Sequence, residues 1–348
     1  MGKKRVIPQR DLDAIATLAD PDLRALAGAR LFVTGGTGYV GRWLLESLVH
    51  ADAALELNVR AVVLSRDPGR FAQLCPAIAA SPVLSFIQGD VRDFVFPDGA
   101  FDFAIHAATD VIAEHAPLET FDVTVGGTRR VLDFCVARGV RRVLLLSSGA
   151  VYGPIPPGMT HVAETYGGGP RTDQPQSAYG IGKAVTEWLG AAYGAAHGIM
   201  CPSARVFAQI GPHLALDKQF AAGNFIRDAL AGGVFDIRGD GTPRRSYMYG
   251  VDLAAWLWAI LARGQGARAY NVGSDEGMSI LALAEMVAQA AGISSPVINV
   301  HGSPVPGAAP AWYVPDIARA RDELGLTISV PAMEAIMRTL AWYREAGI

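Results

Sequence analysis

Tyr179 and Lys183 stand four residues apart in Tyr179-Gly180-Ile181-Gly182-Lys183. On a helix, positions i and i+4 share a face. An ammonium beside a phenol favours the phenolate. A phenolate can take a proton from a hydroxyl while hydride leaves the same carbon. A tyrosine and a lysine at this spacing are common by chance, so the reading needs partners. Ser148 supplies one. It follows the apolar run Arg142 to Ser147, where its hydroxyl can hydrogen-bond the reacting oxygen and hold it against Tyr179. Ser147 beside it reads as a cofactor contact or as a strand-end serine capping backbone.

Departing hydride needs an acceptor. The segment Thr34-Gly35-Gly36-Thr37-Gly38-Tyr39-Val40-Gly41 sits between an apolar run and a helical pattern. Gly35 suits a tight turn, Gly38 lets backbone approach a pyrophosphate, and Gly41 lets the helix pack on the strand. The helix start then offers N–H groups and a positive dipole end to phosphates. This predicts a nicotinamide dinucleotide held at Gly35, Thr37, Gly38, Tyr39, Val40 and Gly41. The next strand ends Val63-Leu64-Ser65-Arg66-Asp67. An acid at its end would bind the ribose 2′-hydroxyl of NAD. Ser65 and Arg66 instead suit a 2′-phosphate, which favours NADP. Asp67, two residues on, leaves NAD open. Asp90 is expected to accept from the adenine amino group, with Val91 against the ring; the plainer reading of Asp90 is a helix N-cap. The small residues Ala107, Ala108 and Thr109 let a cofactor lie close to the sheet, while His106 before them reads as structural.

These residues need a frame. Apolar runs at Ala29–Thr34, Val59–Leu64, Val83–Gln88, Phe101–His106, Arg142–Ser147 and Ala204–Phe207 alternate with helical patterns at Val40–His50, Gly126–Arg138 and Ser177–Tyr193. Such alternation predicts an α/β, Rossmann-type doubly wound parallel sheet covered on both faces. Residues 1–28 read as a helical extension. Residues 29–211 with about 246–274, including a helix at Asp252–Ala262, make the dinucleotide-binding domain. Residues 212–245 and 275–348, shorter elements rich in glycine and proline, make a smaller substrate-binding domain.

Composition narrows the class. The chain has 348 residues, half of them apolar, and a net charge of −3 without long charge runs. That excludes a nucleic-acid surface and a polybasic membrane patch. Cys75, Cys135 and Cys201 are odd in number and far apart, so neither a disulfide scaffold nor a metal site is expected. No apolar h-region follows Met1-Gly2-Lys3-Lys4-Arg5, and no apolar stretch is long enough to span a bilayer, so a cytoplasmic protein is expected.

On these residues the chain resembles the extended short-chain dehydrogenase/reductases, in their nucleotide-sugar epimerase/dehydratase group. The likeness runs from about Ala29 to Leu326. It rests on the glycine turn, Gly89-Asp90-Val91, His106-Ala107-Ala108, Ser148 with Val151-Tyr152-Gly153, and Tyr179 with Lys183. Later pieces are Arg205 with Gly211-Pro212, Asn224-Phe225-Ile226, Gly239-Asp240-Gly241, Arg245 and Asp252. The resemblance implies that Ser148, Tyr179 and Lys183 are catalytic and that Val206 joins the cofactor contacts. It implies that Asn224 and Arg245, with Ser148, contact a nucleotide-diphosphate sugar. It also implies a homodimer through the helices at 110–138 and 177–193.

The departures from the family are chemical. Its 4,6-dehydratases carry an Asp-Glu pair after the catalytic hydroxyl residue, and its decarboxylases a glutamate at the second of those positions. Here Gly149 and Ala150 stand there, and neither can move a proton. Thr124, Ala208 and Gln209 replace asparagines common among relatives. The expected activity is therefore a 4-epimerase or 4-ketoreductase acting at C4 of a nucleotide-activated hexose. A 4,6-dehydratase, a reductase of non-sugar ketones and a dinucleotide sensor are the alternatives.

Overall fold

The structure is a computed structural model that describes residues 6–109, 116–305, 307 and 309–347. Strands β1 (Arg30–Thr34), β2 (Arg60–Ser65), β3 (Leu84–Gln88), β4 (Phe103–His106), β5 (Arg142–Ser148) and β6 (Ser203–Val206) come first. Then follow β7 (Gln209–Ile210), β8 (Val234–Ile237), β9 (Arg244–Arg245), β10 (Met248–Tyr249) and β11 (Ala269–Val272). Last are β12 (Met278–Ser279), β13 (Val297–Val300) and β14 (Trp312–Tyr313). The main sheet has seven parallel strands in the order β11-β6-β5-β4-β1-β2-β3.

Strand periodicity sorts the core into two layers. Leu31, Val33, Ala61, Val63, Ile105, Leu144 and Leu146 point to one face. Phe32, Val62, Leu64, Ala104, Val143 and Leu145 point to the other. The first face is covered by α1 (Gln9–Leu18), α2 (Asp20–Arg24), α3 (Tyr39–Leu55) and a later helix, Gly250–Arg263. That helix is buried on nearly every side, which explains its almost uniformly apolar sequence. Two short helices, α4 (Pro68–Leu74) and α5 (Pro76–Ala79), link β2 to β3. The second face is covered by α6 (Pro117–Arg138) and α7 (Ala178–His197). Residues 110–115, where the expected dimer helix at 110–138 begins, lie outside the described residues, as do Met1 to Arg5 of the expected extension.

Three small sheets gather beyond residue 208: β10 with β7, β12-β9-β14, and β13 with β8. They are accompanied by α8 (Ala221–Leu230), α10 (Ile280–Ala291) and α12 (Ala332–Ala346), numbering the Gly250–Arg263 helix α9. The helix α11 (Ala318–Leu324) lies instead against β11 and α9. The first helices tie these parts together. Asp11, wholly buried, accepts from Tyr249 Oη at 2.6 Å and from Arg338 Nη1 of α12 at 2.7 Å. Asp22 holds Arg263 at 2.6 Å, and the Trp342 indole donates to Val6 O at 2.8 Å.

Strand order reverses between β1 and β4. A ligand crevice opens there, beyond the strands' C-terminal ends. The glycine turn leaves β1 at that point, and Ala107–Thr109 leave β4.

Candidate active site

The crevice floor is made of backbone. Gly35 has φ of +71°, where a side chain is disfavoured, and a Cβ there would stand 2.4 Å from the Ala107 carbonyl. A Cβ on Gly41 would stand 2.3 Å from Gly35 O. A Cβ on the exposed Gly38 would meet nothing nearer than 3.4 Å. The turn is thus closed below and open above, and no side chain caps α3. These residues fit the pyrophosphate of a dinucleotide, which the leading N–H groups of α3 would receive. Thr34 Oγ1 accepts from Ala108 N at 3.3 Å and bonds His106 Nδ1 at 2.8 Å. His106 Nε2 bonds Thr128 Oγ1 at 3.0 Å. Burial, then the Lys183 charge, push His106 down to about 3, so it is a neutral strut.

At the end of β2, Ser65 Oγ accepts from Asp67 N at 3.2 Å. The Asp67 carboxylate caps α4 by accepting from Arg70 N at 2.8 Å, and Arg66 is exposed beside it. Asp90 does not cap a helix. Its carboxylate takes Arg92 Nε at 2.8 Å and Nη2 at 3.0 Å, which holds it below the usual carboxylate range. Val91 is buried behind it.

The chemistry-bearing side chains meet at the far end of the crevice. Lys183 is 3% exposed, with Nζ donating to Leu146 O at 2.6 Å and Thr109 Oγ1 at 3.1 Å. Burial draws it down to about 7, against the opposing pull of Glu187. Its Nζ lies 5.8 Å from the Tyr179 ring centroid, so the helical spacing does place both on one face. Ser148 lies near enough to Tyr179 to favour its phenolate. The expected lowering of this phenol does not follow from the protein alone. Burial dominates and raises it, and the neighbouring Ser148 only opposes that.

Ser147 turns its hydroxyl to Glu187 Oε1 at 2.5 Å. Glu187 also takes Arg205 Nε at 2.9 Å and Nη2 at 2.7 Å. This half-buried pair stiffens α7 against β6, whose last residue, Val206, is half-buried beside it. Glu187 went unnoticed in the sequence, although it lies one helical turn beyond Lys183. Thr124 packs its methyl 3.0 Å from where a Gly182 side chain would be, so it serves the α6–α7 seam.

On the other side of the crevice, Tyr313 pairs with Arg245 in the β14–β9 register. The Arg245 guanidinium stands 5.3 Å from the Tyr313 ring centroid, and the Tyr313 hydroxyl stands 2.5 Å from where a Cβ on Gly149 would be. Nothing in the sequence marked Tyr313, because it sits on a two-residue strand after a glycine- and proline-rich loop. Asn224 is in the first turn of α8, where Oδ1 lies 3.5 Å from Arg227 Nη1.

The model of the NAD dependent epimerase/dehydratase family matches residues 31–273. The chain belongs to this family. It is an enzyme of the extended short-chain dehydrogenase/reductase class, built to use an NAD(P)-type dinucleotide. Similar curated proteins include UDP-glucuronic acid decarboxylase 6 of Arabidopsis thaliana, 29% identical over 88% of this chain and 86% of the relative. A dTDP-glucose 4,6-dehydratase of an Actinoplanes species is 27% identical over 90% and 98%. Among solved structures, a dTDP-glucose 4,6-dehydratase of Streptomyces venezuelae with NAD bound has a TM-score of 0.76 at 25% identity, covering 91% of this chain and 97% of that one. The UDP-glucose 4-epimerase of Thermotoga maritima has 0.75 at 20%, covering 92% and 100%, and so shares the fold. Among the described residues no helix is long and apolar enough to cross a membrane, and no group of histidine, cysteine and acidic residues could hold a metal.

Proposed function

We propose that this enzyme transfers hydride at C4 of a nucleotide-diphosphate hexose, as a 4-epimerase or a 4-ketoreductase. The observation that carries the reading is the crowding at Gly149. A Cβ there would stand 2.5 Å from the Tyr313 hydroxyl and 2.8 Å from the Phe207 ring. An acid of the kind used for elimination has no room at 149, and Ala150 offers only a methyl group. Elimination needs proton transfers at C5 and C6. Oxidation or reduction at C4 needs one proton at one oxygen. In this reading Tyr179 takes or returns the C4 hydroxyl proton, Ser148 hydrogen-bonds the same oxygen, and Lys183 holds the nicotinamide ribose. Arg245 and Asn224 receive the diphosphate, a guanidinium being suited to neutralise it. When bound, the nicotinamide supplies or accepts the hydride.

NADP is the proposed cofactor, because Asp67 spends its carboxylate on α4 and leaves Arg66 at the ribose end. The remaining cofactor contacts, from Ser65, Asp90, Val91, Ala107–Thr109, Ser147 and Val206, are proposed on position.

The deciding experiment offers UDP- and dTDP-hexoses and 4-keto-6-deoxy sugar nucleotides, with products read by proton NMR. Interconversion of C4 epimers, or NADPH consumed one for one with a 4-keto sugar, is the expected result. Water or carbon dioxide lost from the sugar overturns the reading.

We also propose a homodimer through α6 and α7. Leu118, Phe121 and Trp188 expose large apolar surface there, Trp188 being 66% exposed. Light scattering is expected to give the dimer mass for the native protein and the monomer mass for Trp188→Glu. A native monomer refutes it.

A further inference from the structure

Glu187 and Arg205 form an ion pair whose side chains are only 16% and 15% exposed. Such a pair adds little stability over apolar side chains of the same volume, because both charges lose water. Directional bonds do something that apolar contacts do not: they fix distances. This pair fixes the chain on both sides of Ser148.

Before Ser148, the grip comes from α7. Tyr179, Lys183 and Glu187 follow one another at intervals of four on that helix and so share a face. Lys183 Nζ donates to Leu146 O at 2.6 Å, and Ser147 Oγ donates to Glu187 Oε1 at 2.5 Å. Consecutive residues of β5 are thus bound by residues one turn apart on α7. After Ser148 comes the 3₁₀ turn Gly149–Tyr152. Tyr152 is 1% exposed. Its ring centroid lies 4.7 Å from the Arg205 guanidinium, and its hydroxyl donates to Asn271 Oδ1 at 2.7 Å. Ser148 Oγ accepts from Ala150 N of that turn at 3.2 Å, so the serine side chain is tied to where the turn sits. Arg205 joins the two sides by giving Nε to Glu187 Oε1 at 2.9 Å and Nη2 to Oε2 at 2.7 Å.

We propose that Glu187 and Arg205 are positioning residues of the reaction: as one ion pair they hold Ser147 and Tyr152, and so aim the Ser148 hydroxyl that lies between them. The proposal rests on the role given above to Ser148, through which both residues act.

Glu187→Gln keeps the shape and an acceptor for Ser147 but removes the charge that holds Arg205. The first readout needs no substrate. It is hydrogen exchange, read by peptide mass spectrometry, of the protein loaded with NADPH or, where that fails to bind, NADH. Exchange in residues 146–153 is expected to rise about tenfold, while residues 30–41, β1 and the glycine turn, keep the native rate. The second readout is turnover. The kcat is expected to fall about ten- to a hundredfold, with KM for the nucleotide sugar and Kd for the dinucleotide within about twofold of native. Arg205→Lys keeps the charge and loses the two-pronged bond. It is expected to behave the same way and covers the case in which Glu187→Gln folds poorly. Native exchange at 146–153 in both variants overturns the proposal, and so does a native kcat. A rise shared equally by residues 30–41 shows a pair that merely stabilises the sheet, and overturns it too. If the native protein turns over no nucleotide sugar, the proposed reaction falls, while the exchange still decides for or against the clamp.

Discussion

The two ends of the crevice are made of different materials. The cofactor end is backbone, folded within the eight residues Thr34 to Gly41, and its shape depends on side chains being absent. The reaction end is side chains. Ser148 comes from β5, Tyr179 and Lys183 from α7, Arg245 from β9 and Tyr313 from β14. A backbone cradle has one workable form, since a Cβ on Gly35 or Gly41 would stand only 2.4 or 2.3 Å from a neighbouring carbonyl. A side-chain cluster can exchange members without disturbing the fold. One end thus keeps the cofactor while the other changes the reaction, which is how decarboxylases, dehydratases and epimerases can share one scaffold.

That contrast can be broken at either end. The largest effect is expected from Gly41→Ala, whose Cβ would overlap Gly35 O. Cofactor binding, followed by fluorescence of NADPH, should fall below detection; binding within a few-fold of native would show that the cradle is not rigid. Next is Arg245→Ala at the other end. Loss of a charge-assisted contact to a diphosphate should raise KM for the sugar nucleotide about ten- to a hundredfold, with NADPH affinity unchanged. An unchanged KM would remove Arg245 from the diphosphate site. The smallest effect is expected from Arg66→Ala, an exposed side chain. It should cut the preference for NADPH over NADH by a factor of up to about ten, as befits a solvent-screened contact. No change in the ratio of kcat/KM values would end the case for NADP at this position.

The same division decides what the sequence discloses. The turn is legible because strand, glycines and helix follow one another within one short segment. Lys183 is legible through its spacing from Tyr179. Six of the seven main-sheet strands show as apolar runs, but β11 does not, because Ala269-Tyr270-Asn271-Val272 is short and carries the buried Asn271. Asn271 is there to bond the Tyr152 hydroxyl at 2.7 Å, a partner remote in sequence. Helix α3 runs to Leu55, beyond the expected end at His50, because Ala51-Asp52-Ala53-Ala54 continues a good helix-former run. The helices α4 and α5, which start at Pro68 and Pro76, are not among the expected helical patterns, being only seven and four residues long. Strands of two residues show no period at all, so β9 and β14 are invisible, and Tyr313 with them. Burial is equally hidden. It raises Tyr179 where the neighbouring lysine alone suggested lowering.

Asp11 and Arg338, bonded at 2.7 Å, lie 327 positions apart. Chain entropy makes such a closure late in folding, since nearly every other contact must shorten the loop first. A chain emerging from a ribosome completes its main sheet with β11 while α12, which carries Arg338, is still being made. Until that helix docks on α8 and α10, the lobe that bears Arg245 and Tyr313 lacks its last support. Newly made molecules therefore hold a dinucleotide cradle before they hold a finished reaction site, and the cofactor can act as a folding ligand for the half that is already there.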